Sequence, residues 1–231
     1  MFKTRSCELE IIDTGDYTAE EYECCLAELR NINRFLGDTR ALRKSLLREI
    51  EKENLKEFSV LDVGAGSGEL LRAIADFARQ RNAKTNLLGL ELNARSAQAT
   101  LEESKDYAEI SAIRGDALNL PFKDSSFDYS ICSLFTHHFT DENVVRILSE
   151  MQRVSRKKIL VIDLHRHRIA YYFYTIAARI FSKNRLIKND GALSILRSFK
   201  PHELKKLGIE AGLKNVSMKR CFPYRLILQG I

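Results

Sequence analysis

Proline and glycine are scarce in this chain of 231 residues, with three of the first and eleven of the second. That excludes collagen-like and low-complexity architectures. No apolar run reaches the roughly 18 residues that a membrane-spanning helix needs, so none is expected. The opening MFKTRSCELEIIDTGDY has no long apolar stretch and carries acids early. It is unlike a secretory leader, and a cytoplasmic protein is expected. Cysteine is odd in number (Cys7, Cys24, Cys25, Cys132 and Cys221), and no Cys-x-x-Cys occurs. A zinc site or a disulfide framework would need paired spacing, so reduced, mostly buried thiols and no metal are expected. What is present is an ordinary globular mixture, 45% hydrophobic and 29% charged, with a net charge of +6. The basic residues are spread along the chain apart from small clusters at 156–158 and 219–220. A solvated surface explains that pattern better than a nucleic-acid footprint, which gathers its charge into a stripe.

The rhythm of apolar residues divides the chain. Over 18–52 the spacing predicts two helices. The first carries Leu26, Leu29, Ile32, Phe35 and Leu36, and the second carries Leu42, Leu46, Leu47 and Ile50. Gly37 breaks the run, and Asp38 or Thr39 is the expected cap of the second helix. From Phe58 short apolar runs alternate with helical spacing. Strands are predicted at 58–63, 86–91, 109–113, 127–132 and 158–163. A closing pair follows near 214–221 and 224–229, turning at Phe222-Pro223. This alternation predicts an α/β fold, a Rossmann-like, mostly parallel sheet with helices on both faces, which binds ligands at the carboxyl ends of its strands. Residues 1–57 form an N-terminal helical cap in this reading, and 58–231 form the core. A lid-like insertion at about 164–200 interrupts the core with the aromatic stretch from Ile169 to Phe181.

The strongest signal is Asp62-Val63-Gly64-Ala65-Gly66-Ser67-Gly68, between the first predicted strand and its helix. Gly64 and Gly66 would let the backbone approach a ligand, and Gly68 would let helix and strand pack. The spacing differs from the dinucleotide fingerprint. Asp62, at the strand's end, would repel a pyrophosphate but suits a ligand with a cationic centre. Glu91 ends the second strand, where a carboxylate can accept from ribose hydroxyls. Asp116 and Ala117 follow the third, where an acceptor and a small side chain would suit an adenine.

These residues resemble the class I S-adenosylmethionine-dependent methyltransferases. VLDVGAGSGEL, from Val60 to Leu70, is similar to their first motif. Gly115-Asp116-Ala117, Leu120-Pro121-Phe122 and Ser126-Phe127-Asp128 are similar to later blocks of the small-molecule, ubiquinone-methylase-like branch. The resemblance covers roughly 58–231. It implies a seven-stranded sheet with an antiparallel last strand and S-adenosyl-L-methionine as cofactor. It also implies cofactor contacts from Asp62, Gly64, Ala65, Gly66, Gly68, Glu91, Asp116, Ala117 and Ser133. The N-terminal helical block with Asp163-Leu164-His165-Arg166 is similar to methyltransferases of polyketide or phenolic metabolites, which implies a place in secondary metabolism.

The expected acceptor is therefore a small apolar or aromatic molecule, methylated on a phenolic, quinone or polyketide-like oxygen. A hydroxyl acceptor benefits from a base, and histidine suits that role near neutral pH. His137 and His138 follow the fourth strand, and His165 follows the fifth. His138 is the favoured base, His137 and His165 are the other candidates, and Asp163 is placed to orient His165. The stretch 169–181 reads as a core helix, as a lid over the acceptor, or as a membrane-surface helix flanked by Arg166, Arg168, Arg179 and Lys183. Two competing functions remain at this level. One is RNA methylation, although no RNA-binding module or Asn/Asp-Pro-Pro-Tyr signature is present. The other is non-catalytic cofactor binding.

Overall fold

Each short apolar run becomes a strand because its residues alternate between two helical layers. The computed structural model describes residues 2–22, 24, 25, 28 and 37–231. The strands are β1 (Glu57–Val63), β2 (Lys84–Glu91), β3 (Ile110–Arg114), β4 (Phe127–Ser133), β5 (Ser155–Leu164), β6 (Ser217–Cys221) and β7 (Arg225–Gly230). They form one seven-stranded sheet in the order β3-β2-β1-β4-β5-β7-β6. β1 to β5 pair in parallel, and β7 runs antiparallel to both β5 and β6. This is the Rossmann-like sheet with an antiparallel last strand that the sequence predicts.

Among the described residues, helices with both ends described are α1 (Ile11–Thr14), α2 (Asp38–Leu42), α3 (Arg48–Lys52), α4 (Glu69–Arg79), α5 (Ala94–Glu103), α6 (Asp141–Val154), α7 (Arg168–Phe181), α8 (Arg185–Arg197) and α9 (Pro201–Glu210). A π-helical stretch, Arg43–Leu47, joins α2 to α3. Alternate residues of β1 feed two cores. Phe58 and Val60 pack with Leu42, Leu46 and Ile50 and with Leu71 and Ile74 of α4. Leu61 and Val63 pack with Val144, Ile147 and Leu148 of α6 and Leu204 of α9. Burying side chains of this size contributes roughly 1.5–3 kcal/mol each, so the strand's register is strongly fixed.

The first predicted helix, with Leu26, Leu29, Ile32, Phe35 and Leu36, lies outside the described residues. The second forms, but neither Asp38 nor Thr39 caps it. Its N-cap is Gly37, in the left-handed region at φ 93°. The Asp38 carboxylate is drawn instead into a buried pair with Arg225, 2.5 Å from Nε. Burial of the arginine on β7 makes this partner stronger than a local backbone amide. Cys25, Cys132 and Cys221 are buried free thiols, while Cys7 and Cys24 are exposed. Among the described residues, no helix is long and apolar enough to cross a membrane.

Candidate functional site at the carboxyl edge of the sheet

The chain leaves β1 towards β2 on one side and later returns to place β4 on the other. The loops after β1 and β4 therefore diverge and open a crevice at the strand ends. Asp62 and Ser133 stand at this point. The Asp62 side chain is buried, and its Oδ1 has no hydrogen-bond partner; neither has the buried Ser133 Oγ. Burial first, and the charge of Glu91 second, push the Asp62 carboxyl up to about 8. Buried polar atoms are rarely left unpaired. An acceptor and a hydroxyl left this way are suited to a ligand that brings a cationic donor.

The glycine loop is held from both sides. Gly64 N donates to Leu90 O at 2.9 Å, and Thr100 Oγ1 of α5 donates to Gly66 O at 2.8 Å. Gly66 N donates to Glu91 Oε1 at 2.6 Å. A Cβ on Gly66 would meet nothing within 4 Å, so the backbone there lines open space at φ 59°. A Cβ on Gly64 would instead stand 2.4 Å from the Phe135 ring. Gly68 packs under Thr100, and Ala65 stands beside Gly89 of β2. After β3, the exposed Asp116 accepts from Leu118 N at 2.9 Å, and Ala117 is buried. The loop, Glu91 and the Asp116 turn thus line the same edge of the sheet, as expected.

A second cluster follows directly from Ser133. A short 3-10 turn, Thr136–His138, directs both histidines towards the N-terminal segment. His137 is buried, with Nδ1 2.7 Å from Asp163 Oδ1. Thr136 Oγ1 donates to Asp163 Oδ2 at 2.5 Å, and Leu164 N donates to Oδ1 at 2.7 Å. Burial alone would raise the Asp163 carboxyl, but the His137 charge and these donors hold it down at about 2. His137 thus turns Nδ1 to the Asp163 carboxylate, and its Nε2 faces Glu10 Oε1 at 4.0 Å.

His138 is partly exposed, with Nδ1 2.9 Å from Asp13 Oδ1. Glu10 is buried, accepts from Ser194 Oγ at 2.9 Å through Oε2, and leaves Oε1 without a hydrogen bond. Burial pushes its carboxyl up to about 7 against the charges of His138 and Arg197 and the Ser194 hydrogen bond. Glu10, His137 and His138 each bring one possible ligand atom within 4.8 Å of the others. A cation already stands at this spot: the Arg197 guanidinium lies 3.6 Å from Glu10 Oε1, is paired with Asp13, and donates to His138 O at 2.6 Å.

Two expectations change here. Asp163 orients His137 and not His165. The pairing of β5 with β7 carries His165 away: its backbone N donates to Tyr224 O, and its ring faces His167 and Tyr224. Burial, followed by the charges of Arg220, His167, Arg166 and Lys200, lowers His165 to about 4. Phe173 also points outward, whereas Tyr171 stacks edge-on against Phe2.

Asp190 and Arg197 also gather at the cluster. Asp190 accepts from Ile11 N and Ile12 N at 2.9 and 3.0 Å. Arg5 donates to the carbonyls of His137, Phe139 and Arg197. Glu10 and Asp13 were missed by sequence reasoning. They lie more than 120 residues from the histidines, in a stretch without periodicity, and the only available signal was their acidity in an otherwise apolar segment.

Residues 60–158 match the methyltransferase domain family. A demethylmenaquinone methyltransferase from Bacillus licheniformis is 30% identical over 99 residues, 43% of this chain and 40% of that protein. The chain thus spans less than half of that relative's length. A demethylmenaquinone methyltransferase from Shouchella clausii is 24% identical over 80% of this chain and 81% of its own length. Among solved structures, an S-adenosylmethionine-dependent methyltransferase from Aquifex aeolicus shares the fold with a TM-score of 0.59. It is 16% identical and matches over 87% of this chain and 96% of its own. With the switch-point crevice and the glycine loop, these matches make residues 60–158 similar to a methyltransferase domain, carried on the fold of a solved S-adenosylmethionine-dependent methyltransferase.

Proposed function

We propose that the chain transfers a methyl group from S-adenosyl-L-methionine to a hydroxyl of a small apolar acceptor of phenolic, quinone or polyketide-like chemistry. The observation that carries the reading is the pair of neighbouring features at one sheet edge. A crevice with an unpaired buried carboxylate adjoins two histidines, each held by its own carboxylate. The bound cofactor would supply a methyl group already activated on a sulfonium. The protein's part is then alignment, exclusion of water and removal of the acceptor's proton.

In this reading Asp62 holds the cofactor's ammonium, Glu91 faces its ribose, and Asp116 and Ala117 face its adenine. Gly64, Ala65, Gly66, Gly68 and Ser133 line the remaining backbone approach. His138 is the base. Asp13 holds its Nδ1, which leaves Nε2 to take the proton, and its ring is the more open of the two. His137 is enclosed by Asp163 and Glu10 and acts as a positioning residue. A phenol with a pKa of ~10 lies within reach of such a base. Residues 2–17 and α8 roof the edge through Arg5, Asp190 and Arg197, which supports a capping role for residues 1–57 and for the insertion at about 164–200.

The test is a methyl-transfer screen across phenols, quinones, polyketides and RNA. Transfer to an oxygen of a phenolic or quinol acceptor is the expected result. Transfer only to RNA, or to carbon or nitrogen in every active acceptor, would overturn the reading.

A further inference from the structure

Helix α7 is amphipathic in an unusual direction. Its inner face packs on α8: Tyr174 Oη donates to Ile187 O at 2.8 Å, and Ala178 joins Leu186 and Ile187. The tyrosine lies across Gly191, where a Cβ would stand 2.0 Å from its Oη, so the two helices approach closely. The outer face carries Ile169, Tyr172, Phe173, Ile176 and Ile180, spaced three, four, seven and eleven residues from the first, and ends at Phe181. All six are exposed, from 56% at Tyr172 to 86% at Phe181. Soluble surfaces seldom leave a stripe of large apolar residues so open, and such stripes mark contact surfaces.

The charge carried by the helix itself has one sign. Helix α7 contains no acidic residue, and Arg168, Arg179 and Lys183 flank its apolar face, all exposed. At its amino end an open groove of about 810 Å³ is lined by Phe2, Lys3, Arg168, Ile169, Tyr172 and Lys200, among others. An apolar face with aromatic residues and a rim of lysine and arginine suits the boundary between acyl chains and anionic headgroups. A second copy of the same chain would set these basic rims against each other and be repelled.

We propose that the outer face of α7, together with the groove beside Phe2 and Lys3, docks the protein on an anionic lipid bilayer. The helix lies in the plane of the surface, with Ile169, Phe173, Ile176 and Ile180 among the acyl chains and the basic side chains at the headgroups. Because α8 joins this helix to the histidine cluster, docking brings the acceptor side of the site to the membrane. That last consequence rests on the function proposed above; the docking itself does not.

The test is co-sedimentation of the full chain with vesicles of phosphatidylcholine alone and of phosphatidylcholine mixed with phosphatidylglycerol, at low and high salt. Light scattering on the same samples gives the oligomeric state. The proposal expects binding to the mixed vesicles, loss at high salt, and little binding to phosphatidylcholine. The pair Ile176→Glu with Ile180→Glu should abolish binding, with melting temperature and S-adenosylhomocysteine affinity unchanged. Arg179→Gln should weaken binding about five-fold, since one basic residue near such a surface is worth roughly that factor. Failure to bind the mixed vesicles, equal binding to both compositions, or undiminished binding by the glutamate pair would overturn it. So would a stable dimer that the glutamate pair dissociates. None of these readings depends on turnover, so they stand apart from the acceptor screen.

Discussion

Replacing Asp62 by asparagine should stabilise the ligand-free protein, and by an amount that grows with pH. Burial and the Glu91 charge push the folded carboxyl to about 8, against an ordinary value of 3.8. The unfolded chain gives up this proton near the ordinary value, and the folded chain keeps it until about pH 8. The contribution of Asp62 to stability is therefore fully present below pH 3.8 and is lost as the pH rises through that window. Each unit costs about 1.4 kcal/mol, so between pH 5 and 8 the loss is on the order of 4 kcal/mol. The amide would keep the shape without the titration. For a chain of this size 1 kcal/mol moves the melting temperature by about 2–4 °C. The melting temperature of Asp62→Asn minus that of wild type should therefore rise by roughly 10 °C from pH 5 to pH 8. Circular dichroism melts of the ligand-free proteins read this directly. If Asp62 holds the ammonium of S-adenosylhomocysteine as proposed, binding should keep the carboxylate ionised and flatten the pH trend of the wild type. A difference between the two proteins that stays constant with pH, or shrinks, would refute the argument.

Three other substitutions test separate parts of the account. Gly64→Ala places a Cβ 2.4 Å from the Phe135 ring at φ 75°; urea unfolding should show a loss of roughly 2–4 kcal/mol, and an unchanged midpoint would contradict the packing described. Asp38→Ala leaves Arg225 buried without its partner and should cost about 3–5 kcal/mol in the same assay, with much of it recovered when Arg225→Met is added. His138→Ala should lower turnover on a phenolic acceptor by about 10²–10⁴ with cofactor affinity unchanged. That loss should shrink for acceptors already ionised, and full turnover would move the base elsewhere.

Strand positions were legible because each is a short apolar run bounded by glycine or charge, and β1 to β5 lie within a few residues of expectation. The glycine loop was legible because Asp62, Gly64, Gly66 and Gly68 fall within one short stretch, and one turn fixes them all. The histidine cluster was only half legible. His137 and His138 follow β4 in sequence, but their partners Asp13, Glu10 and Asp163 come from other segments, Asp13 being 125 residues from His138 and Glu10 farther still, and no local period announces such pairings. Asp163 and His165 looked like partners from proximity in sequence. The turn of the chain towards β7 separates them. Asp38 looked like a cap for the same reason, and a buried arginine 187 positions away claimed it.

The central claim, a cofactor crevice at the end of β1, is tested most directly by calorimetric titration of the wild type and Gly66→Val with S-adenosylhomocysteine. The wild type should bind at a single site. The valine variant is strained at φ 59° and should melt lower, but a Cβ at residue 66 meets no protein atom within 4 Å, so it should still fold, which its melting curve checks, yet bind nothing, because its side chain occupies the space the ligand needs. Equal affinity in the two proteins, or no binding by the wild type, would contradict the account.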